Sequence, residues 1–242
     1  MLLQAGPANC VFLVLLGFAW RCGRQRALAH GACMWRRFTA ALMWLGLAAC
    51  SSTPAGPVEG ADYGYRNGDV WVRGPWDAIT PSTDVDMVID QLCPAIMQLP
   101  RAQGREYGQE YCGAIYSLGD GTYYSSLPST LGPLLKATPE PQKACFAPRF
   151  VNDARGRTVV LADYHSHSWP NSRMSGADRR QSRQRFSIRI QFDTGCRVMK
   201  LVPYVGESRP GELFERRERR WVRIGVIRPE HKAAGIVTWM DE

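Results

Sequence analysis

Residues 158–178 read Thr-Val-Val-Leu-Ala-Asp-Tyr-His-Ser-His-Ser-Trp-Pro-Asn-Ser-Arg-Met-Ser-Gly-Ala-Asp. Within them, His165, His167, Ser175 and Asp178 form the pattern His-x-His-x7-Ser-x2-Asp. The run 158–162 is β-branched and apolar and leads into Asp163-Tyr164-His165 as a buried strand would. Residues i and i+2 of a strand share a face, so both imidazoles can grip one metal ion at the strand's C-terminal end. Asp178 arrives from the next element as a third ligand, and three protein ligands leave one position open for water. Beyond the loop 168–171, residues 176–185 are helix-compatible, with Ser175 at the N-cap and Asp178 at N3. Ser-x-x-Asp is also an ordinary capping pattern, so the combination with His-x-His carries the reading.

These residues resemble the JAMM motif of the JAB/MPN metalloprotease superfamily, a distant upstream Glu followed by His-x-His-x7-Ser-x2-Asp. The resemblance covers about residues 80–192. It implies an α+β fold, a curved mixed β-sheet flanked by helices, and a zinc-dependent amidase or isopeptidase. His165, His167 and Asp178 would hold the zinc. In the family the Glu lies on an early strand in a Glu-x-x-Gly context, matched by Glu110-Tyr111-Cys112-Gly113, 55 residues before His165. Glu106, followed by Tyr107-Gly108, is the competitor. Zinc lowers the pKa of a bound water from about 15.7 to about 7. The general base, Glu110, would take the proton and pass it to the leaving nitrogen, and Ser175 would donate to the oxyanion. Two departures stand out: Ser168-Trp169 precede Pro170 where the family often has Pro directly after the second His, and no ubiquitin-binding insertions are recognisable. The substrate expected is therefore a peptide, protein or peptidoglycan-like amide, not ubiquitin.

The N-terminal region speaks to location. Met34-Trp35-Arg36-Arg37 precedes an apolar run, 38–47, and then Leu47-Ala48-Ala49-Cys50. This is a lipobox, which predicts cleavage before Cys50 and lipidation of that residue. About ten apolar residues are too few to span a bilayer of about 30 Å. A second apolar run, 11–16, lies upstream, and a true start at Met34 accounts for it. Residues 1–49 are thus read as targeting signal, 50–69 as lipidated cysteine and Gly/Pro/Ser-rich tether, and 70–242 as a single domain. Removing the signal takes away five arginines and no acid, so net charge falls from +8 to +3. Ser51 after the cysteine, where an inner-membrane retention signal has Asp, favours the outer membrane, facing the periplasm or the surface. Export disfavours nucleic acid as a partner.

Apart from Cys50 the mature chain has Cys93, Cys112, Cys145 and Cys196, an even count that suits an oxidising compartment and two disulfides. Of the three possible pairings, Cys93–Cys112 with Cys145–Cys196 is favoured. Periodicity predicts a strand at 70–73, a helix over 83–98, a hairpin from Glu110 through Gly119-Asp120-Gly121 to 122–124, and strands at 186–192, 196–204, 212–214 and 221–227. Arginines cluster at Arg179, Arg180, Arg183 and Arg185 and again at Arg216, Arg217, Arg219, Arg220 and Arg223, either as solvated faces or as attraction for acidic polymers and headgroups. His-Glu-x-x-His, Gly-x-Ser-x-Gly and the zinc-deaminase signature do not occur, and His231 sits in a polar stretch. A non-catalytic JAB-like assembly lipoprotein is the alternative reading.

Overall fold

In the computed structural model, the described residues are 60–132 and 144–240, all within a unit spanning Ala55–Glu242. Cys50, Met34 and the rest of the expected signal lie outside the described residues. Among the described residues no helix is long and apolar enough to cross a membrane.

The architecture is mixed α+β, dominated by strands in open sheets. Eleven strands are present among the described residues: β1 (Tyr63–Arg66), β2 (Asp69–Gly74), β3 (Cys112–Ser117), β4 (Tyr123–Ser125), β5 (Phe150–Asp153), β6 (Val159–Ser166), β7 (Ile188–Phe192), β8 (Val198–Val202), β9 (Gly211–Arg217), β10 (Arg220–Ile227) and β11 (Thr238–Trp239). The larger sheet runs β11-β10-β9-β8-β7-β6-β3-β4, and the smaller runs β1-β2-β5. Every pair in the larger sheet is antiparallel except β6 with β7. Parallel neighbours need a long crossover. Here that crossover, residues 167–187, carries His167, Ser175 and Asp178.

Strand alternation gives the larger sheet two different faces. On one, Ala162, Tyr164, Ile190 and Phe192 pack under the helix α1 (Val85–Ile96), whose Val88, Ile89, Leu92, Cys93 and Ile96 form its buried stripe. Asp84 caps that helix by accepting from the Asp86 amide. The opposite face presents Cys112, Asp163, His165, Arg189 and Gln191. The small sheet covers part of it, where Val70, Val72 and Val151 pack on Ala114 and Tyr116. A third apolar group, Met174 with Met199, Leu201, Leu213, Ile224 and Ile227, closes the side towards the C-terminal strands. The end of the face that carries Cys112 and His165 lines a cavity of about 360 Å³.

Three sequence expectations need correction. The disulfides are Cys93–Cys196 and Cys112–Cys145, not Cys93–Cys112 and Cys145–Cys196. Sheet parity explains it: Cys112 stands opposite His165 and shares its face, while Cys93 lies in the core cluster on the other side. The expected tether over 50–69 overlaps β1, which pairs with β2 through the two-residue turn Asn67-Gly68, both at positive φ. Asn-Gly is the strongest short hairpin signal, and it was legible. The helix expected over 176–185 is only α2 (Gly176–Arg179) followed by a 3-10 turn at Gln181–Arg183. Side chains claim the carbonyls that a longer helix would need: Gln184 donates to the Asp178 and Arg180 carbonyls, and Arg189 to those of Asp178 and Arg183.

Candidate metal centre

The site grows from the end of β6. His165 is 6% exposed, and the next residue, Ser166, turns to the other face, where its hydroxyl accepts from the Tyr111 amide. His167 lies just past the strand, its amide donating to the Phe192 carbonyl at 2.8 Å, which continues the β6–β7 ladder by one step. The two imidazoles therefore share a face with ring centroids 5.1 Å apart. Across from them, α2 presents Asp178. Its Oδ2 lies 3.5 Å from His165 Nε2 and 3.5 Å from His167 Nε2. One ligand atom from each of the three residues falls within 4.8 Å of the others, and the group could hold a metal ion.

Electrostatics agree with that use. Burial would raise the Asp178 carboxyl, but the facing imidazoles and the Ser175 hydroxyl outweigh it and hold the carboxylate well below its ordinary range. Burial pushes the His165 pKa below its ordinary value despite Asp178, which favours the uncharged ring that a metal needs. That Nε2 is buried without a hydrogen-bond partner. A buried polar atom left unsatisfied is costly unless something else occupies it, as a cation would. His167 differs in having Nδ1 held by Ser172 Oγ at 2.7 Å, which leaves Nε2 facing Asp178.

A supporting shell fixes these groups. Ser175 and Asp178 make a reciprocal capping box, with the Ser175 hydroxyl donating to Asp178 Oδ2 and accepting from the Asp178 amide. Arg189 stands opposite Asp163 on neighbouring strands, and their side chains, 8% and 3% exposed, pair at 2.8 Å. The same guanidinium donates to the Asp178 carbonyl at 3.0 Å and the Arg183 carbonyl at 2.8 Å, tying the metal-ligand segment to β7. Ser172 is held from below by Asp193, which accepts its amide at 3.0 Å, and by Gln191, which donates to its carbonyl at 3.0 Å.

Glu110 lies two residues before β3, and it lines the same cavity of about 360 Å³ as His165, His167, Ser175 and Asp178. Glu106 is exposed on the 3-10 turn Arg105–Tyr107 and does not line that cavity. Gly113, in the Glu-x-x-Gly stretch, stands opposite Tyr164, and a Cβ there would run into the phenol ring. The five residues expected to bind metal or act in catalysis, Glu110, His165, His167, Ser175 and Asp178, thus line one cavity.

Sequence reasoning missed Asp163, Ser172, Arg189, Gln191 and Asp193, and the disulfide wall at Cys112–Cys145. A signal existed for Asp163 and Arg189: opposite charges on two strands otherwise rich in apolar residues, Asp163 in phase with His165. The second arginine cluster is occupied structurally, with Arg216 bridging Asp86 and Asp90, Arg217 paired with Glu215, and Arg223 with Glu212.

No protein-family model, curated protein or solved structure matches this chain.

Proposed function

We propose that this chain is a zinc-dependent hydrolase of an amide bond, peptide or isopeptide, of the JAB/MPN type, anchored in the bacterial cell envelope through Cys50. The observation that carries it is the meeting of two imidazoles, a carboxylate, a second carboxylate and a hydroxyl at one cavity. Tetrahedral ligands about 2.1 Å from zinc stand about 3.4 Å apart. Both Nε2 to Oδ2 separations, at 3.5 Å, fit that edge. Two nitrogens and one oxygen also suit zinc better than a hard cation that prefers all-oxygen sites. The envelope location rests on the lipobox pattern and agrees with two disulfides, which persist in oxidising compartments.

His165, His167 and Asp178 would hold the ion, which supplies the Lewis acidity that makes water a nucleophile near neutral pH. Glu110, on the cavity wall, accepts the nucleophile's proton and returns it to the leaving nitrogen. The Ser175 hydroxyl turns about one torsion from Asp178 to a substrate carbonyl oxygen as charge develops there. While it does so, the Ser175 amide still donates to Asp178 at 3.1 Å, which keeps the carboxylate aimed at the histidines.

Elemental analysis of the purified chain should find about one zinc, lost in His165→Ala and His167→Ala. Glu110→Gln should keep the zinc and lose roughly two to four orders of magnitude of activity on a randomised peptide library and on envelope peptides. Glu106→Gln should be silent. A chain that takes up no metal even from added zinc overturns the reading. Zinc binding without hydrolysis of either substrate set favours an assembly lipoprotein.

A further inference from the structure

The metal centre is one end of a longer groove. Its cavity shares Ala144, Cys145, Ala147, Ala177, Asp178 and Arg189 with a neighbouring cavity of about 600 Å³. The far part of that second cavity is lined by Arg183 and Arg185. Both walls are fixed. On one side Cys145 is bonded to Cys112, which stands opposite His165, so this wall is held covalently beside the metal ligands. On the other, Arg189 holds the carbonyls of Asp178 and Arg183 on one guanidinium, which sets the spacing between a metal ligand and an arginine of the far groove.

At the far end of the groove, lined by Asp69, Arg183 and Arg185, the charges do not cancel. Arg189 is neutralised by Asp163. Arg185 pairs with Asp69 at 2.7 Å, but the side chains are 45% and 20% exposed and the same carboxylate also serves Arg149 at 3.0 Å. Arg183 is exposed and makes no ion pair among the described residues. Asp69 therefore serves two guanidinium groups while Arg183 has no carboxylate partner among the described residues, and exposed pairs of this kind are weak enough to be exchanged for a ligand. Guanidinium forks match carboxylates in shape as well as charge. Resting on the hydrolase reading above, we propose that the groove selects amide substrates bearing a carboxylate, an acidic side chain or a free C-terminus, on one side of the scissile bond, and that Arg183 and Arg185 receive it.

The test uses the zinc-loaded full chain and a library of internally quenched peptides randomised around a central segment, with cleaved bonds mapped by mass spectrometry. Acidic residues should be enriched at a fixed position within a few residues of the cut, on one side only. For matched Glu and Gln peptides built on that position, the kcat/KM ratio should be about tenfold or more at low salt and shrink as salt rises. Arg183→Ala/Arg185→Ala should bring the ratio to within about twofold, while Arg180→Ala, an exposed arginine outside the groove, leaves it intact. Zinc content and circular dichroism of each variant check that the site is folded. Cleavage with no acidic preference, or a preference that survives the double substitution, overturns the proposal. If no peptide is cleaved, the hydrolase reading fails and binding decides the groove: fluorescence anisotropy of labelled Glu and Gln peptides must show the same ratio and the same loss in the double variant, and equal binding overturns the proposal.

Discussion

Replacing Arg189 with Met would remove a guanidinium that serves three acceptors from within the sheet. Its partner Asp163 has a side chain only 3% exposed, so the carboxylate would be left buried and unpaired. Breaking a buried pair from one side costs about 3–5 kcal/mol. The carbonyls of Asp178 and Arg183 also lose donors, at about 1–3 kcal/mol each if they stay dry. Arg183 itself is exposed, so water can replace that bond, and the stranded carboxylate dominates. The double variant Asp163→Leu/Arg189→Met removes both charges and should recover most of the loss, because a buried ion pair is often no better than apolar groups of similar volume. Urea unfolding followed by circular dichroism measures both. Zinc affinity should fall about 10–100-fold in single and double variants alike, since neither retains the tie to the Asp178 backbone. A single variant that loses less than about 1 kcal/mol would refute the burial argument. A double variant with wild-type zinc affinity would refute the positioning role.

The disulfides should differ in weight: the Cys93–Cys196 bond spans 103 residues and Cys112–Cys145 spans 33, so removing them by alanine pairs should cost roughly 5 and 4 kcal/mol by loop-closure entropy. Denaturant melts giving the reverse order would contradict the entropic account. Asp153 sits at about 2, below its ordinary 3.8, chiefly because Arg155 and then Tyr116 hydrogen-bond its carboxylate against the effect of burial. Its folded pKa is depressed, so its contribution to stability is present above about 3.8 and lost as pH falls towards 2; in Arg155→Ala, carboxyl NMR should find the pKa raised, and no movement would remove the assignment. Gly113→Ala should destabilise by about 1–3 kcal/mol through overpacking against Tyr164, and Gly113→Ala/Tyr164→Phe should not rescue it, because the ring as well as its hydroxyl is in the way.

What the sequence by itself determined was the local chemistry. A β-branched strand ending in His-x-His fixes both imidazoles to one face by the two-residue period, and Ser-x-x-Asp folds into a capping box through contacts three residues apart. Such periodic, short-range rules act whatever the rest of the chain does, which is why His165, His167, Ser175 and Asp178 were legible together. The Glu-x-x-Gly context already favoured Glu110 over Glu106, and the tertiary structure placed Glu110 on the cavity wall and left Glu106 exposed on its 3-10 turn. It also decided the parallel pairing of β6 with β7, which brings Arg189 beside Asp163 and lets its guanidinium reach the Asp178 carbonyl at α2. The disulfide pairing belongs there too: Cys93 and Cys112 are neighbours in sequence order, but a sheet lies between their side chains.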